Sequence, residues 1–588
     1  MRRAAAPILL VALSLAGLAA SAAGSSTSRP GATAAIPGNV IIRARPGRVA
    51  EAEKLVVRLG GSIRLPLRLI GGFSATLPSR AVAKLRHSGL VASVTANRAL
   101  RPQSSSYTAD YDPSTDGYSM SQITQLTGAR DWWKAGYTGK GVDIALIDSG
   151  VAPVQGLSSP DQLVNGADLS VESQAGNLRY LDTYGHGTFM AGLIAGRDSA
   201  PSPSAPAATY LGMAPDARIV SLKVASADGG TDVTQVIAAI DWVVQHRDDN
   251  GLNIRVINLS YGTNSLQPYQ KDPLAYAVEQ AWKAGIVVVT AAGNSGMGSG
   301  LADPAYDPWL ISVGAADTMG TPSLSDDQPT SFTASPSACP PGPISCSPTL
   351  LAPGAHMQGL RVAGSYTDQN NPDAALGDLY LRGSGTSEAA AYVSGAVALL
   401  LQKYPGLTPD QVKQMLSAGA QTLPGCPSLV QGDGELDLNA LLKVSAPNLT
   451  PGPRPRWSTG SGSLELSRGT AHLSMDGIVL QGEQDIFGQP FSSTAMAALE
   501  AAGNSWSGGI WNGSTWSGNS WNGNSWSGST WSGNTWSGHT WSGSTWSGHT
   551  WSGNSWSGNT WSGSTWSAST WSGNTWSGDH WLGATWGR

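Results

Sequence analysis

Four short runs, Val142 to Ile147, Ile219 to Val224, Val256 to Leu259 and Ile286 to Thr290, are almost unbroken in apolar and β-branched residues. A strand wetted on one face alternates polar and apolar residues, so runs of this kind belong to strands covered on both faces. Amphipathic stretches of helical period separate them, and the alternation continues from Ala129 to about Val444. That pattern predicts an α/β domain with a mostly parallel central sheet and helices on both faces. Such sheets bind ligands in the crevice beyond the carboxyl ends of their strands, which directs attention to the residues just after each run.

Three boxes stand at such places: Ile147-Asp148-Ser149-Gly150 after the first run, Gly185-His186-Gly187-Thr188 opening a helical stretch, and Gly385-Thr386-Ser387 opening another. Singly, each is ordinary, because Asp and Ser are common helix caps and turn residues. Together they supply a carboxylate, an imidazole and a hydroxyl. A serine hydroxyl is a poor nucleophile at neutral pH and needs a base within hydrogen-bond reach. Imidazole has a suitable pKa, and a buried carboxylate holds the tautomer that leaves one ring nitrogen free.

In this order the three boxes resemble the subtilisin-like serine peptidase family, whose triad runs Asp, His, Ser along the chain. The resemblance extends from about Ala129 to Leu442, roughly half of the chain, and includes Val256-Ile257-Asn258-Leu259-Ser260-Tyr261-Gly262, Ala291-Ala292-Gly293-Asn294 and Leu351-Ala352-Pro353-Gly354. It implies a subtilisin-like fold in which Ser387 is the nucleophile, His186 its base and then acid, and Asp148 the orienting carboxylate. It implies an oxyanion hole made by the Asn294 side chain and the Ser387 N–H, with Ser260, Tyr261, Gly262, Ala291, Ala292 and Gly293 binding an extended peptide substrate. No cofactor is required. Calcium sites are frequent in the family and stay open here, since no acidic cluster stands out as a ligand set and no metal ligand is assigned.

One departure bears on the chemistry. After Ser387 the chain reads Glu388-Ala389-Ala390-Ala391, where the family usually has an uncharged residue first. A carboxylate about 5 Å from a developing oxyanion would oppose it by roughly 3 kcal/mol at an effective dielectric of about 20, or about a hundredfold in rate. The expectation is that Glu388 points away from the oxyanion hole and is paired with a cation or protonated.

Upstream, Met1-Arg2-Arg3, an apolar run from Pro7 to Ala20 and Ala20-Ser21-Ala22 read as a secretory signal peptide over 1–23. The run is shorter than the roughly 20 residues of a comfortable membrane span, so no transmembrane anchor is expected after cleavage. Residues 38–100 show the order βαββαβ, and by the family resemblance this unit looks like an inhibitory propeptide. The polar segment 101–128 is then the processing region and linker, followed by the peptidase domain at 129–445. A proline- and glycine-rich linker (446–462) leads to 463–500, where alternation around Gly-containing turns predicts a small β module.

From Trp506 to Trp586 a Trp recurs every five residues, seventeen in all, within the repetitive segment 504–588. Five residues advance about 140° on a helix and change faces on a strand, so neither element gathers the rings on one side. Two pictures remain: a turn-rich solenoid stacking a coil every five or ten residues, or a flexible chain displaying aromatic rings. Such a tail suits binding of polysaccharide or another cell-surface polymer, with low-complexity filler and self-association as alternatives. Of three cysteines, Cys339 and Cys346 bracket a tight loop that one disulfide could close, leaving Cys426; three unpaired thiols are the alternative.

At 588 residues the chain exceeds a lone binding module, and 40 acidic against 35 basic residues argue against nucleic acid as a partner. The expected protein is a secreted, self-processing serine endopeptidase with protein or peptide substrates and its own propeptide as inhibitor. The alternative is a catalytically impaired peptidase scaffold that binds a cell surface or polysaccharide through its Trp repeats.

Overall fold

The computed structural model describes residues 38–96 and 111–516, apart from 68–69, 160, 175–177, 199–208, 322, 339–346, 448–453, 476–477 and 508, together with strands between Ser525 and Leu582. The expected signal peptide, residues 101–110 of the expected processing region and the Cys339–Cys346 loop lie outside the described residues, whereas the rest of that region carries the helix Met120–Leu126. The chain divides into two compact units, residues 1–103 and 104–588.

In the first unit, β1 (Gly38–Ala44), α1 (Val49–Arg58), β2 (Ser62–Leu67), β3 (Gly72–Leu77), α2 (Ser79–Arg86) and β4 (Val91–Ala96) follow one another in the expected order. The strands form an antiparallel sheet in the order β2-β3-β1-β4. Val40, Ile42 and Ala44 of β1 face inward at the strand period of two and pack with Ala52, Val56, Phe73 and Leu85 into a core of their own.

The second unit enters through α3 (Met120–Leu126) and α4 (Ala129–Lys134). Strands and helices then alternate: β5 (Asp143–Asp148), β6 (Leu163–Asp168), α5 (His186–Ala195), β7 (Arg218–Lys223), α6 (Val233–His246), β8 (Ile254–Leu259), α7 (Pro273–Lys283), β9 (Val287–Ala291) and β10 (Ile311–Asp317). After β11 (Gln328–Pro329), β12 (Leu350–Pro353) and β13 (Met357–Leu360) come α8 (Tyr366–Asn370), β14 (Ala375–Leu376) and β15 (Tyr380–Gly383). Helices α9 (Thr386–Lys403) and α10 (Pro409–Gly419), strand β16 (Ala420–Gln421), α11 (Ser428–Gln431), β17 (Glu435–Leu436) and α12 (Leu438–Leu441) complete the peptidase domain.

The central sheet has the order β16-β17-β12-β10-β9-β8-β5-β7-β6, and β6 to β10 with β5, β12 and β17 pair in parallel. All six residues of β5 are buried, as the unbroken apolar run requires. Strand β5 lies between β7 and β8, so the chain leaves it toward one edge and later returns on the other side, and Asp148 at its carboxyl end stands at the kind of switch point where such sheets bind ligands. Helix α9 is buried from Thr386 to Leu401, which its all-round apolar surface dictates.

The small β module expected at 463–500 is not what forms. One two-residue strand pair, Ser474–Met475 with Ile478–Val479, is flanked by helices Leu464–Arg468 and Ser493–Ala501. The alternation misleads because this segment packs onto the peptidase domain rather than onto itself. Arg468 is fully buried and pairs with Asp232, the capping residue of α6, and Leu464, Phe491 and Met496 join the main core.

The first three repeat tryptophans join that core as well. Trp506 Nε1 donates to Ala238 O at 2.9 Å and Trp511 Nε1 to Asp241 Oδ2 at 2.7 Å, and Trp516 packs beside them. Beyond them, strands of two to four residues pair in parallel with the strand twenty residues on, as Trp526 with Trp546 and Trp546 with Trp566. The same step relates Trp531 to Trp551, Trp536 to Trp556 and Trp541 to Trp561. The coil therefore closes every four pentapeptides, not every one or two, and four successive repeats supply four different three-stranded sheets.

Candidate active site

The carboxylate of Asp148, at the end of β5, accepts the Ser149 backbone N–H at 2.7 Å and the Ser149 hydroxyl at 3.2 Å. His186, the first residue of α5, places Nδ1 2.8 Å from Oδ1 and 2.9 Å from Oδ2 of Asp148. A carboxylate only accepts, so Nδ1 carries the hydrogen and Nε2 is the basic nitrogen. Burial opposes charging of the ring, but the charge of Asp148 and the hydrogen bond to it outweigh burial, and with Glu388 and Asp182 adding to them the imidazole is pushed up to about 9.

Asp182 organises the turn before α5, and the sequence boxes do not single it out. Its Oδ1 accepts from the Ser149 hydroxyl at 2.8 Å and the Gly185 N–H at 2.6 Å, and Oδ2 accepts from the Thr188 N–H at 2.8 Å and hydroxyl at 2.6 Å. Burial pushes this carboxyl above the ordinary range. The available signal was a carboxylate placed shortly before a helix whose first N–H groups need acceptors. Glycine at 187 is required by close approach, because a Cβ there would stand 2.1 Å from Gly150 O.

Ser387 is the second residue of α9. The helix has no side-chain cap of its own at Gly385; Asn294 Oδ1 instead accepts both the N–H and the hydroxyl of Thr386 at 2.9 Å, while the Thr386 hydroxyl accepts the Gly293 N–H at 3.2 Å. With Oδ1 committed, the amide nitrogen of Asn294 faces the space over Gly385. The point where a Cβ on Gly385 would stand is 3.4 Å from Asn294 Nδ2 and 3.7 Å from Ser387 N.

Glu388 does not point away from this space. Its Oε2 is 2.7 Å from the same point over Gly385, and its Oε1 is 2.6 Å from the point where a Cβ on Gly383 would stand. Two positions without side chains leave the room into which the carboxyl folds. Burial pushes Glu388 above the ordinary range, and the cation that faces it is His186, with Asp148 opposing.

Of the expected substrate-binding residues, Ser260, Tyr261 and Gly262 follow the end of β8, and the Ser260 hydroxyl lies 3.4 Å from Ser387 O. Ala291 ends β9, and Ala291 and Ala292 are buried. Gly293 has φ 111°, a region that glycine alone adopts readily. Gly262 and Gly293 both border Ala302, whose Cβ is 2.8 and 3.3 Å from where their Cβ atoms would stand. The two segments thus meet at Ala302. The carbonyls of Ala292 and Gly293 already accept the N–H groups of Ala302 and Ala334. Among the described residues, no group of three or more His, Cys, Asp or Glu side chains is placed to hold a metal ion.

Comparison with known proteins gives the family. The profile of the Subtilase family (peptidase S8) matches residues 139–438. Serine protease AprX of Bacillus subtilis (strain 168) is 35% identical over 342 residues, covering 57% of this chain and 72% of that protein. Subtilisin E of the same organism is 30% identical over 394 residues, 66% of this chain and 86% of that one. Among solved structures, fervidolysin from Fervidobacterium pennivorans, described as a keratinolytic enzyme related to subtilisin, matches 70% of this chain and 61% of its own at 22% identity and a TM-score of 0.43. With a profile match over half its length and relatives that it covers for most of theirs, the chain belongs to the subtilase family and is a subtilisin-like serine endopeptidase.

Proposed function

We propose that the protein is secreted as a self-processing precursor and hydrolyses peptide bonds of proteins through an acyl-enzyme on Asp148, His186 and Ser387. The observation that carries this reading is the contact of His186 Nδ1 with both carboxylate oxygens of Asp148 at the end of β5. His186 Nε2 takes the Ser387 proton as Oγ attacks the scissile carbonyl, and returns it to the leaving amine. Asp148 stabilises the imidazolium without taking the proton. The Asn294 amide and the Ser387 N–H receive the oxyanion, donors that cost no reorganisation because Thr386 has already oriented the asparagine.

An extended substrate pairs along Ser260 to Gly262, while Ala291 to Gly293 wall the specificity pocket, the carbonyls of Ala292 and Gly293 being engaged within the protein. The four-stranded unit at 38–96 acts as the inhibitory propeptide, released by cleavage between about Ala99 and Asp116. The Trp repeats beyond Trp516 attach the enzyme to a polysaccharide or other cell-surface polymer. Labelling with a fluorophosphonate, together with mass spectrometry of the secreted product, tests the reading. Labelling that vanishes in Ser387→Ala, a new N-terminus after the leader, and a second between residues 99 and 116 that depends on Ser387, are expected. Unlabelled wild-type protein would support the impaired scaffold instead.

A further inference from the structure

The space over Gly385 is bounded by three polar atoms, and two of them have an assigned use: Asn294 Nδ2 and Ser387 N are donors for an oxyanion. The third is Glu388 Oε2, which lies 2.7 Å from the point where a Cβ on Gly385 would stand, with Asn294 Nδ2 and Ser387 N at 3.4 and 3.7 Å from the same point. An ionised oxygen there would repel the charge that the other two attract. A protonated one would add to them, as a neutral carboxylic acid kept in an apolar site can do.

We propose that Glu388 is a further catalytic residue, a carboxylic acid whose O–H donates to the oxyanion beside Asn294 and the Ser387 N–H. The inference rests on the triad reading above. During attack a bond forms between Ser387 Oγ and the scissile carbon, the carbonyl π pair moves onto oxygen, and the serine proton passes to His186 Nε2. Glu388 keeps its own proton throughout and only shortens its hydrogen bond to the oxyanion. When the tetrahedral intermediate collapses, the C=O bond re-forms, the C–N bond breaks and His186 protonates the departing amine.

The surroundings favour the acid form. Glu388 is 6% exposed, and burial leads the causes that hold its proton. The charged groups that face it are His186 from α5 and Asp148 from the end of β5, and they act in opposite senses. Glu388 in turn is one of the carboxylates that push His186 up, so neutralising it lets the imidazole stay unprotonated, and able to act as a base, down to lower pH. Glu388 and His186 therefore titrate as a pair, and activity peaks where one proton resides on the pair.

The test is the pH profile of kcat and KM on an uncharged peptide anilide for the mature wild type, Glu388→Gln and Glu388→Leu, each at a site concentration set by fluorophosphonate titration. The wild type is expected to give a bell. Glu388→Gln, which donates at every pH, loses the alkaline fall and shifts its acid limb to lower pH. Glu388→Leu, with no donor, has kcat about 10²-fold below that of the Gln variant on their plateaus, with KM little changed. An alkaline fall kept in Glu388→Gln, or equal plateaus for Gln and Leu, would overturn the proposal. If Glu388→Leu does not fold, the profile of the Gln variant decides alone. Fluorophosphonate labelling that persists in Ser387→Ala would instead remove the triad reading, whatever Glu388 does.

Discussion

Asp232 and Arg468, 236 positions apart, form an ion pair with both side chains fully shielded, Arg468 Nε donating to Asp232 Oδ2 at 2.6 Å. The guanidinium also donates to Gly482 O and Gln484 O, so the segment after the proline-rich linker is fastened to the start of α6. Arg468→Met leaves a buried carboxylate without its cation and should cost roughly 3 to 5 kcal/mol of stability. Asp232→Asn combined with Arg468→Met should recover part of that. Denaturant unfolding of the three variants checks both statements, and no loss in the single variant would mean that the pair is not shielded in solution.

The three tryptophans that meet the core set a boundary within the repeats. Trp511 is 0% exposed and donates to Asp241, so Trp511→Ala should cost about 3 to 5 kcal/mol. A chain ended after Ser517 should keep the thermal stability of the full protein, whereas one ended after Gly503 should lose it. Melting curves of the two truncations decide the point.

Several buried carboxyls face one another. The Ser467 hydroxyl lies 3.0 Å from Asp272 Oδ1 and 3.3 Å from Asp303 Oδ2, and Glu279 faces Asp307 as Asp241 faces Glu500. Burial pushes Asp241 and Asp307 each up to about 7. A raised carboxyl pKa means that the folded state holds its proton more tightly than the unfolded chain does. The stability gained is complete below the ordinary carboxylate range and is lost as pH rises from there through about 7. The melting temperature should accordingly be higher at pH 5 than at pH 8, and the opposite order would show that the pairs are hydrated.

Asp148→Asn should lower kcat by about 10⁴-fold, because an amide can hold the imidazole in the tautomer that presents N–H to the serine. It should also move the acid limb of kcat/KM to lower pH, since the charge of Asp148 and the bond to it are what push His186 up to about 9. Asn294→Leu should cost about 10² to 10³ in kcat with little change in KM. Kinetics of both variants across pH separate the orienting role from the oxyanion role.

Much of the second unit was legible because its signals are local. The unbroken apolar runs at 142–147 and 219–224 became β5 and β7, and the boxes around Asp148, His186 and Ser387 fell at element boundaries, where period and composition change. What misled did so for want of a partner. Residues 463–488 alternate like strands, yet Leu464 and Ile486 serve the peptidase core while Leu466, Val479 and Phe487 stay exposed, and Arg468 reads as a surface residue until Asp232 is brought to it. The coil length of the repeats was hidden for a similar reason, because a five-residue period says nothing about how many copies close a turn.

The amino-acid order alone determined the α/β class, the βαββαβ succession of the unit that precedes it and the order of carboxylate, imidazole and hydroxyl, since all of these follow from periods and spacings within one stretch of chain. Only the tertiary structure decided where Glu388 turns, that Asp182 ties the histidine turn to the strand end, and that Trp506, Trp511 and Trp516 are core rather than display. The reason is physical. A side chain settles by the space and the charges that distant segments leave to it, and here the missing side chains of Gly383 and Gly385 open a place that no reading of residue 388 and its neighbours would have supplied.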